Sequence, residues 1–512
     1  MKKHNSLLIA TLLFGFALVA QTTPQQMIVD MQAGINLGNV LSAPVEGNWA
    51  PAVEGQYFLD VAAAGFSTVR IPMDFFGART SGDTSIWSSA ANTAGSYTGS
   101  IADYTVSTTY LNRIETVVDW ALNAGLIAII DVHGSKLKTE FQYTFDRKNR
   151  HSERTEPTSA KRLADLDKFT AIWTAIANRF EPKSDQLLFE IINEPYFEIT
   201  EADMNSINTS IIATIRNTGG NNSTRNIIIT GGTKNSFEAP TTIDPTIITS
   251  DSYLIATFHY YNPNTFTKSS QDNKDQEVWG STSDKNQIDI DFQVVYDWAF
   301  LNNIPVLLGE FGADNTGGYN YDTGDLNTIN SNTTGFADGG PDNASRVEFH
   351  RYLAEKAIAL GFAFAAWDAG PESNKTIHKR NDATSTVNYN IANFSVTNYN
   401  PKVTTPSTVV DNSIWVTDVK DALIGTVLSV DEVVKNDDAI LVYPNPAANN
   451  IRIQSKKEIV QIELFSILGQ LILVENNFEE QLNISNFADG YYLLKITFKD
   501  KSIANKKLLI AH

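Results

Sequence analysis

The chain contains no cysteine among its 512 residues. Disulfides, thiolate metal sites, a cysteine nucleophile and a lipid anchor on a cysteine are therefore excluded. Histidine is scarce: seven residues, with no His-x-His or His-Glu-x-x-His pair, give a histidine-based metal enzyme little to build on. Basic residues are outnumbered, 39 Lys and Arg against 58 Asp and Glu, for a net charge of −19. That balance argues against nucleic acid, whose phosphates need clustered cations, and against an anionic membrane surface. The first strand–helix turn lacks the Gly-x-Gly-x-x-Gly phosphate fingerprint of a dinucleotide fold. Beyond the N-terminus no apolar run reaches the length of a membrane-spanning helix.

The one long apolar run, Leu7 to Ala20 behind Lys2 and Lys3, reads as a secretory signal over residues 1–20, cleaved near Ala20-Gln21. The mature protein is thus expected to be exported. Hydrophobic residues make up 42% and charged residues 19% of the chain, an ordinary globular composition with material for more than one domain.

From about residue 30, short apolar runs alternate with amphipathic stretches. Candidate strands are 34–36, 68–71, 127–132, 187–192, 227–230, 255–259, 306–308 and 362–366, and candidate helices include 111–124, 166–179, 292–302 and 346–360. Eight strands separated by helices predict a (β/α)8 barrel over residues 27–425, with a doubly wound sheet as the alternative. Residues 80–109 and 375–412, rich in small polar residues, read as surface insertions, and 418–423 as a closing helix. Residues 426–439 are expected to form a linker. After it, short alternating runs (440–443, 450–454, 459–465, 471–474, 490–497, 503–510) predict a small all-β sandwich over 440–512.

The chemistry is expected at the strand ends. Leu187-Leu188-Phe189-Glu190-Ile191-Ile192 runs into Asn193-Glu194-Pro195, and the proline stops the strand with the amide and carboxylate at its carboxyl end. A second carboxylate answers it, Glu310, in Val306-Leu307-Leu308-Gly309-Glu310-Phe311-Gly312. Two carboxylates facing across a barrel mouth suit glycoside hydrolysis, one protonating the leaving oxygen while the other attacks or activates water. They could also hold a metal, but further carboxylates at strand ends are lacking. Arg70 ends its own run, and a cation beside a carboxylate favours the ionised form; a structural salt bridge is the plainer reading of it. His133, the pair His259 and Tyr261, and Trp367 end three more strands. Each alone could be a structural core residue; together they outline a site.

These residues resemble glycoside hydrolase family 5, the cellulase-type family of retaining barrel enzymes. The resemblance rests on Gly34-Ile35-Asn36-Leu37-Gly38-Asn39, Val69-Arg70-Ile71-Pro72, Asp131-Val132-His133, Asn193-Glu194-Pro195, His259-Tyr260-Tyr261, Gly309-Glu310-Phe311-Gly312 and Trp367. It implies Glu194 as general acid/base and Glu310 as nucleophile. Asn193 would bond the sugar 2-hydroxyl, and Arg70 and Tyr261 would orient Glu310. His259 would sit beside Glu194, His133 and Asn39 would line the subsite of the distorted sugar, and Trp367 would form its floor. No metal or cofactor is implied. The implied activity is a secreted endo-β-1,4-glucanase acting on a β-linked polysaccharide, with a β-mannanase or a mixed-linkage or xyloglucan glucanase as alternatives; a silent polysaccharide-binding protein on the same barrel is the non-enzymatic alternative. The chain departs from the pattern at Gly134, where relatives often carry a second histidine, at Ser42, where Glu is common, and at Lys234 and Lys268, all expected to be substrate-contacting positions. The C-terminal piece resembles a type IX secretion sorting domain through Val442-Tyr443-Pro444-Asn445-Pro446, Gly490-Tyr491-Tyr492-Leu493-Leu494 and Lys506-Lys507-Leu508-Leu509-Ile510. It implies the type IX machinery as partner and a secreted or cell-surface location; a carbohydrate-binding module is the competing reading.

Overall fold

A computed structural model describes residues 21–47, 49–88, 95–147, 156–269, 276–316, 319–320, 325–326, 340–371, 373–379, 387–389, 396–398 and 414–434, then 441–510 with short breaks at 445–446, 456, 467–470, 477, 479–480, 489 and 500–502. The expected signal segment, most of the 375–412 insertion and the end of the expected linker lie outside the described residues.

The chain divides into two compact units, 1–427 and 428–512. In the first, eight strands close into a parallel barrel: β1 (Ala33–Asn36), β2 (Thr68–Met73), β3 (Ile127–Val132), β4 (Leu187–Glu190), β5 (Ile227–Ile229), β6 (Leu254–Tyr260), β7 (Val306–Phe311) and β8 (Ala363–Ala366). Each pairs with its chain neighbours, and β8 pairs back onto β1. The strands read as continuous apolar runs because both faces are covered, by the barrel interior and by the helices. The principal helices are α1 (Pro24–Met31), α2 (Gly55–Ala63), α3 (Thr108–Asn123), α4 (Ala160–Phe180), α5 (Glu201–Asn217), α6 (Pro245–Ser250), α7 (Thr282–Leu301), α8 (Asn343–Ala359) and α9 (Thr417–Val434). Hydroxyl and carboxylate caps start several of them: Ser107, Ser159, Thr200, Ser281 and Asp342 each accept a hydrogen bond from a backbone N–H of the first turn.

Inside the barrel, side chains are layered by the two-residue alternation of the strands. The lower layer is apolar: Ile127, Ile129, Leu188, Ile228, Ile255 and Leu307 pack together with Met27, Ile28 and Met31 of α1, which plugs the bottom. One step further along the same faces, towards the strands' carboxyl ends, stand Arg70, Asp131 and Glu190. Register sets Asp131 opposite Glu190 and Asn36 opposite Arg70; Arg70 itself lies opposite Ile129, and its long side chain reaches along the barrel to the carboxylates. The polar layer is thus the continuation of the core.

Two sequence expectations change. Helix α9 runs through residues 426–434, which read as linker; Val427, Leu428, Val430, Val433 and Val434 in that stretch return at helical spacing among the acidic residues. Residues 375–378, read as the start of a surface loop, are buried. The 80–109 insertion returns to the barrel body: Thr80 bridges Val106, and Tyr97 donates to Asp167 of α4 at 2.8 Å.

From residue 441 onward the second unit is all-β. An antiparallel sheet of Leu441–Tyr443, Asn450–Gln454 and Gln481–Asn483 and a four-stranded one ordered Leu471–Glu475, Ile459–Ser466, Gly490–Phe498, Ile503–Ile510 share one apolar core, including Ile451, Ile453, Leu482, Ile462, Leu464, Leu494 and Ile496. The strand at 481–483 is too short for its pattern to register in the sequence.

Candidate active site

At the carboxyl ends of the strands the polar layer opens into a constellation centred on Arg70. Its guanidinium is fully buried and every face of it is engaged. Nε and Nη2 donate to Glu190 at 2.7 and 2.8 Å, Nη2 also reaches Asp131 at 2.8 Å and Asn193 Oδ1 at 3.0 Å, and Nη1 donates to Asn36 Oδ1 at 3.0 Å and Glu310 Oε1 at 2.7 Å. Burial pulls the guanidinium's pKa down, but Asp131, Glu190 and Glu310 outweigh it and hold the pKa well above the usual value. Asn36 is itself fixed by donating to the carbonyls of Gly309, Ala365 and Ala366 at 3.0 to 3.2 Å. A planar fork with this many fixed acceptors cannot swing, so it sets where Glu310 stands.

Glu310 reaches the interior through an irregularity. Leu307 belongs to the inner layer, so strict alternation would turn Glu310 outward. The register between β6 and β7 slips after Phe258–Leu308, so that His259 lies opposite Glu310 and Gly309 is the extra residue. Such a bulge re-aims the following side chain. Gly309 also has no room for a side chain: a Cβ there would lie 2.7 Å from Thr257 Oγ1 and 3.0 Å from His259 Nε2. The Tyr261 hydroxyl donates to Glu310 Oε2 at 3.0 Å.

Glu194 follows β4 in the left-handed region, at φ 44° and ψ 53°, and Pro195 then opens a 3₁₀ turn. A non-glycine residue there carries ~1–3 kcal/mol of backbone strain, the kind that accumulates at functional sites. Glu194 Oε1 meets His259 Nδ1 at 2.9 Å, and His259 Nδ1 lies 3.6 Å from Glu310 Oε2. Burial raises the Glu194 carboxyl and lowers the His259 imidazole, but the hydrogen bond and charge of His259 hold the carboxyl down, and the charge of Glu310 together with the bond and charge of Glu194 holds the imidazole up. The pair therefore keeps one shared proton. Ligand-type atoms of Glu194, His259 and Glu310 all lie within 4.8 Å of one another. A cation at that spot would have to displace the His259–Glu194 hydrogen bond and sit beside the Arg70 guanidinium, so the trio is better suited to moving a proton than to binding a metal.

The remaining predicted residues flank this centre. His133 Nδ1 donates to Asp131 at 3.0 Å, leaving Nε2 to face the Asn193 amide at 3.5 Å. Burial pushes the imidazole down to about 4, so it is neutral over most of the working pH range. Trp367 stacks parallel to His133, with centroids 5.7 Å apart and planes 10° apart, and is half-buried. Its indole lies on Gly38, where a Cβ would come within 2.9 Å of the ring. Asn39 follows β1 in the left-handed region, at φ 62°, and is half-buried.

The sequence reading gave Asp131, Glu190 and Asn36 no role, nor Gln142, which donates to the Asn193 carbonyl at 2.7 Å. The signal for two of them was present: a carboxylate inside an otherwise apolar buried run, in Ile-Ile-Asp-Val and Leu-Leu-Phe-Glu. The departure at Gly134 has a structural cause. A Cβ there would lie 2.2 Å from Asp74 Oδ2, so that buried carboxylate fills the space a larger residue would need. Ser42, expected to face substrate, is instead buried.

Comparison with known proteins follows the same lines. A family model for cellulase (glycosyl hydrolase family 5) matches residues 33–371, and one for a secretion system C-terminal sorting domain matches residues 441–511. Endoglucanase H of Acetivibrio thermocellus is 33% identical over 348 residues, 68% of this chain and 30% of that protein. Endoglucanase B of Clostridium cellulovorans is 29% identical over 368 residues, 69% of each chain. A solved structure described as an endoglucanase has a similar fold, with a TM-score of 0.55 at 24% identity over 79% of this chain and all of that one. The chain thus spans about a third of the length of the first of these relatives and about two thirds of the second. With the family model covering all eight barrel strands and every residue gathered around Arg70, the chain belongs to the cellulase family, glycosyl hydrolase family 5.

Proposed function

We propose that the protein is an exported retaining endo-β-1,4-glucanase, with Glu310 as nucleophile and Glu194 as general acid/base. The observation that carries this reading is the spacing of the two carboxylates. Oxygens of Glu194 and Glu310 lie within 4.8 Å of each other, nearer the separation of about 5–5.5 Å used for double displacement than the 6.5–9.5 Å that leaves room for a water. The names of the endoglucanase relatives support the choice of substrate linkage.

In the first step Glu310 attacks the anomeric carbon while Glu194 protonates the departing oxygen, leaving a glycosyl ester on Glu310. In the free protein the shared proton rests on the imidazole side of the Glu194–His259 pair. A sugar filling the cleft removes water and disfavours separated charges, so the proton passes to Glu194. In the second step Glu194 takes a proton from water, which attacks the same carbon and frees Glu310. Arg70 and Tyr261 hold Glu310 from its two oxygens. The Asn193 amide is turned toward the 2-hydroxyl by its carbonyl's bond to Arg70, and Trp367, His133 and Asn39 bind the sugar before the scissile bond. The catalytic domain is taken as residues 27–425, with 440–512 as the sorting domain recognised by the type IX machinery.

The test is a panel of soluble cellulose derivative, glucomannan, mannan and mixed-linkage glucan, with product anomers followed by proton NMR. The reading predicts β-anomer released first from cellulose chains, and loss of about 10³-fold or more in Glu310→Gln. Equal turnover by wild type and Glu310→Gln, or the α-anomer as first product, overturns it.

A further inference from the structure

We infer that Lys375 is a positioning residue for the nucleophile, acting through Tyr261, an inference that rests on the role proposed for Glu310. Lys375 is buried, and its ammonium pairs with the fully buried carboxylate of Asp314. The ammonium lies 6.0 Å from the centroid of the Tyr261 ring, the ring whose hydroxyl donates to Glu310 Oε2. Asp314 reaches Tyr261 by a second route as well. Its backbone N–H donates to the Thr267 carbonyl at 3.1 Å, and the Thr267 hydroxyl donates to the Tyr261 carbonyl at 2.6 Å. The ion pair thus holds Tyr261 from the ring face while Thr267 holds its backbone.

The chain around Lys375 is built to keep it there. The Asn374 amide donates to Asp314 Oδ1 at 2.8 Å, the Thr376 N–H to Asn315 Oδ1 at 2.9 Å, and the Ala369 N–H to the Lys375 carbonyl at 2.9 Å. From α8, buried Arg346 donates to the Thr376 carbonyl at 2.8 Å. The segment after β8 is thereby locked onto the segment after β7, which carries Glu310. A buried ion pair returns little stability for its desolvation, and apolar residues of similar volume often serve as well. What apolar residues cannot supply is a cation held against an aromatic face, which fixes the ring in place. Lys375 also lies beyond the stretch 33–371 matched by the family model.

A double-mutant cycle with Tyr261→Phe tests the inference, since coupling is expected only where one residue works through the other. Lys375→Met should lower kcat about tenfold or more, with KM within about twofold, because a misplaced nucleophile slows both displacement steps. The loss should be the same on a cellobioside with a dinitrophenyl leaving group, which needs no proton from Glu194. In the Tyr261→Phe background, Lys375→Met should change kcat by less than about twofold. Because Lys375→Met leaves Asp314 buried without its cation, the neutral pair Asp314→Asn/Lys375→Met is measured alongside, and a cooperative melt establishes that it folds. That folded variant with wild-type kcat, or a full multiplicative loss on top of Tyr261→Phe, overturns the inference. Neither result touches the role of Glu310, which fails only if Glu310→Gln itself retains turnover.

Discussion

At the scale of single residues, the site is a problem in keeping charge where it is useful. Arg70 supplies positive charge to three carboxylates, of which only Glu310 approaches the cleft; Asp131 and Glu190 serve to hold the guanidinium in place. Burial pushes Asp131 up to about 6 despite Arg70. His259 does the equivalent for the proton. Its imidazole is held above the ordinary value by Glu310 and Glu194 against the pull of burial, so the pair keeps its proton to higher pH than a free imidazole and loses it as pH rises through the raised value. The alkaline limb of kcat/KM should therefore report this pair. In His259→Gln the amide can still meet Glu194 but cannot carry a proton, and Glu194 must hold it alone. The alkaline limb is expected to move to lower pH by about one unit or more, with the acid limb little changed. A profile whose alkaline side stays in place would show that the proton is not held by the pair.

At the scale of elements, β7 shows where a strand departs from its own pattern. Glu310 points inward because Gly309 is an extra residue in the ladder, and Gly309 is tolerated there because it has no Cβ to strike Thr257 and His259. Gly309→Ala should cost about 1–3 kcal/mol through that overpacking. Because the strain falls on His259 and on the aim of Glu310, turnover should fall by about tenfold or more as well. Thermal melts and kinetics on the same preparation check both, and a variant matching wild type in each would mean that the bulge does not set the nucleophile. The strand itself was legible, since Val306-Leu307-Leu308 is an apolar run ending in polar residues, and so was the proximity of Glu194 to Glu310, since each ends such a run. The bulge was not, because it is a property of pairing with β6, some fifty residues away in the chain, and no local pattern encodes it. The same reason hid Lys375. Ser373-Asn374-Lys375-Thr376 has the composition of an exposed loop, and it is buried only because Asp314 and Asn315, far earlier in sequence, receive it. Asp131 and Glu190 stood in plain view inside apolar strands, yet their task depended on Arg70 one and two strands away.

At the scale of the whole molecule, the chain joins two units that each close their own core. The barrel buries its apolar residues between the strands and helices of residues 33–424, and the sorting domain packs residues 447–510 around a separate cluster. Every residue assigned to the chemistry lies in the first. Independent cores of this kind fold and melt separately. Truncation before residue 440 should therefore leave kcat and KM on soluble cellulose derivatives within about twofold of the full chain, and the barrel's melting transition unmoved. The full chain should show a second transition that the truncated one lacks. Sorting is expected to behave in the opposite way, since residues 441–511 are the part that matches a sorting domain. In a bacterium with a type IX apparatus, the truncated chain should collect in the periplasm, active but not exported. Residues 440–512 fused to an unrelated periplasmic reporter should carry it across the outer membrane. Export of the truncated chain at the level of the intact one would remove the sorting role from the tail while leaving the hydrolase untouched, and a fall in kcat on truncation would mean that the second unit takes part in catalysis.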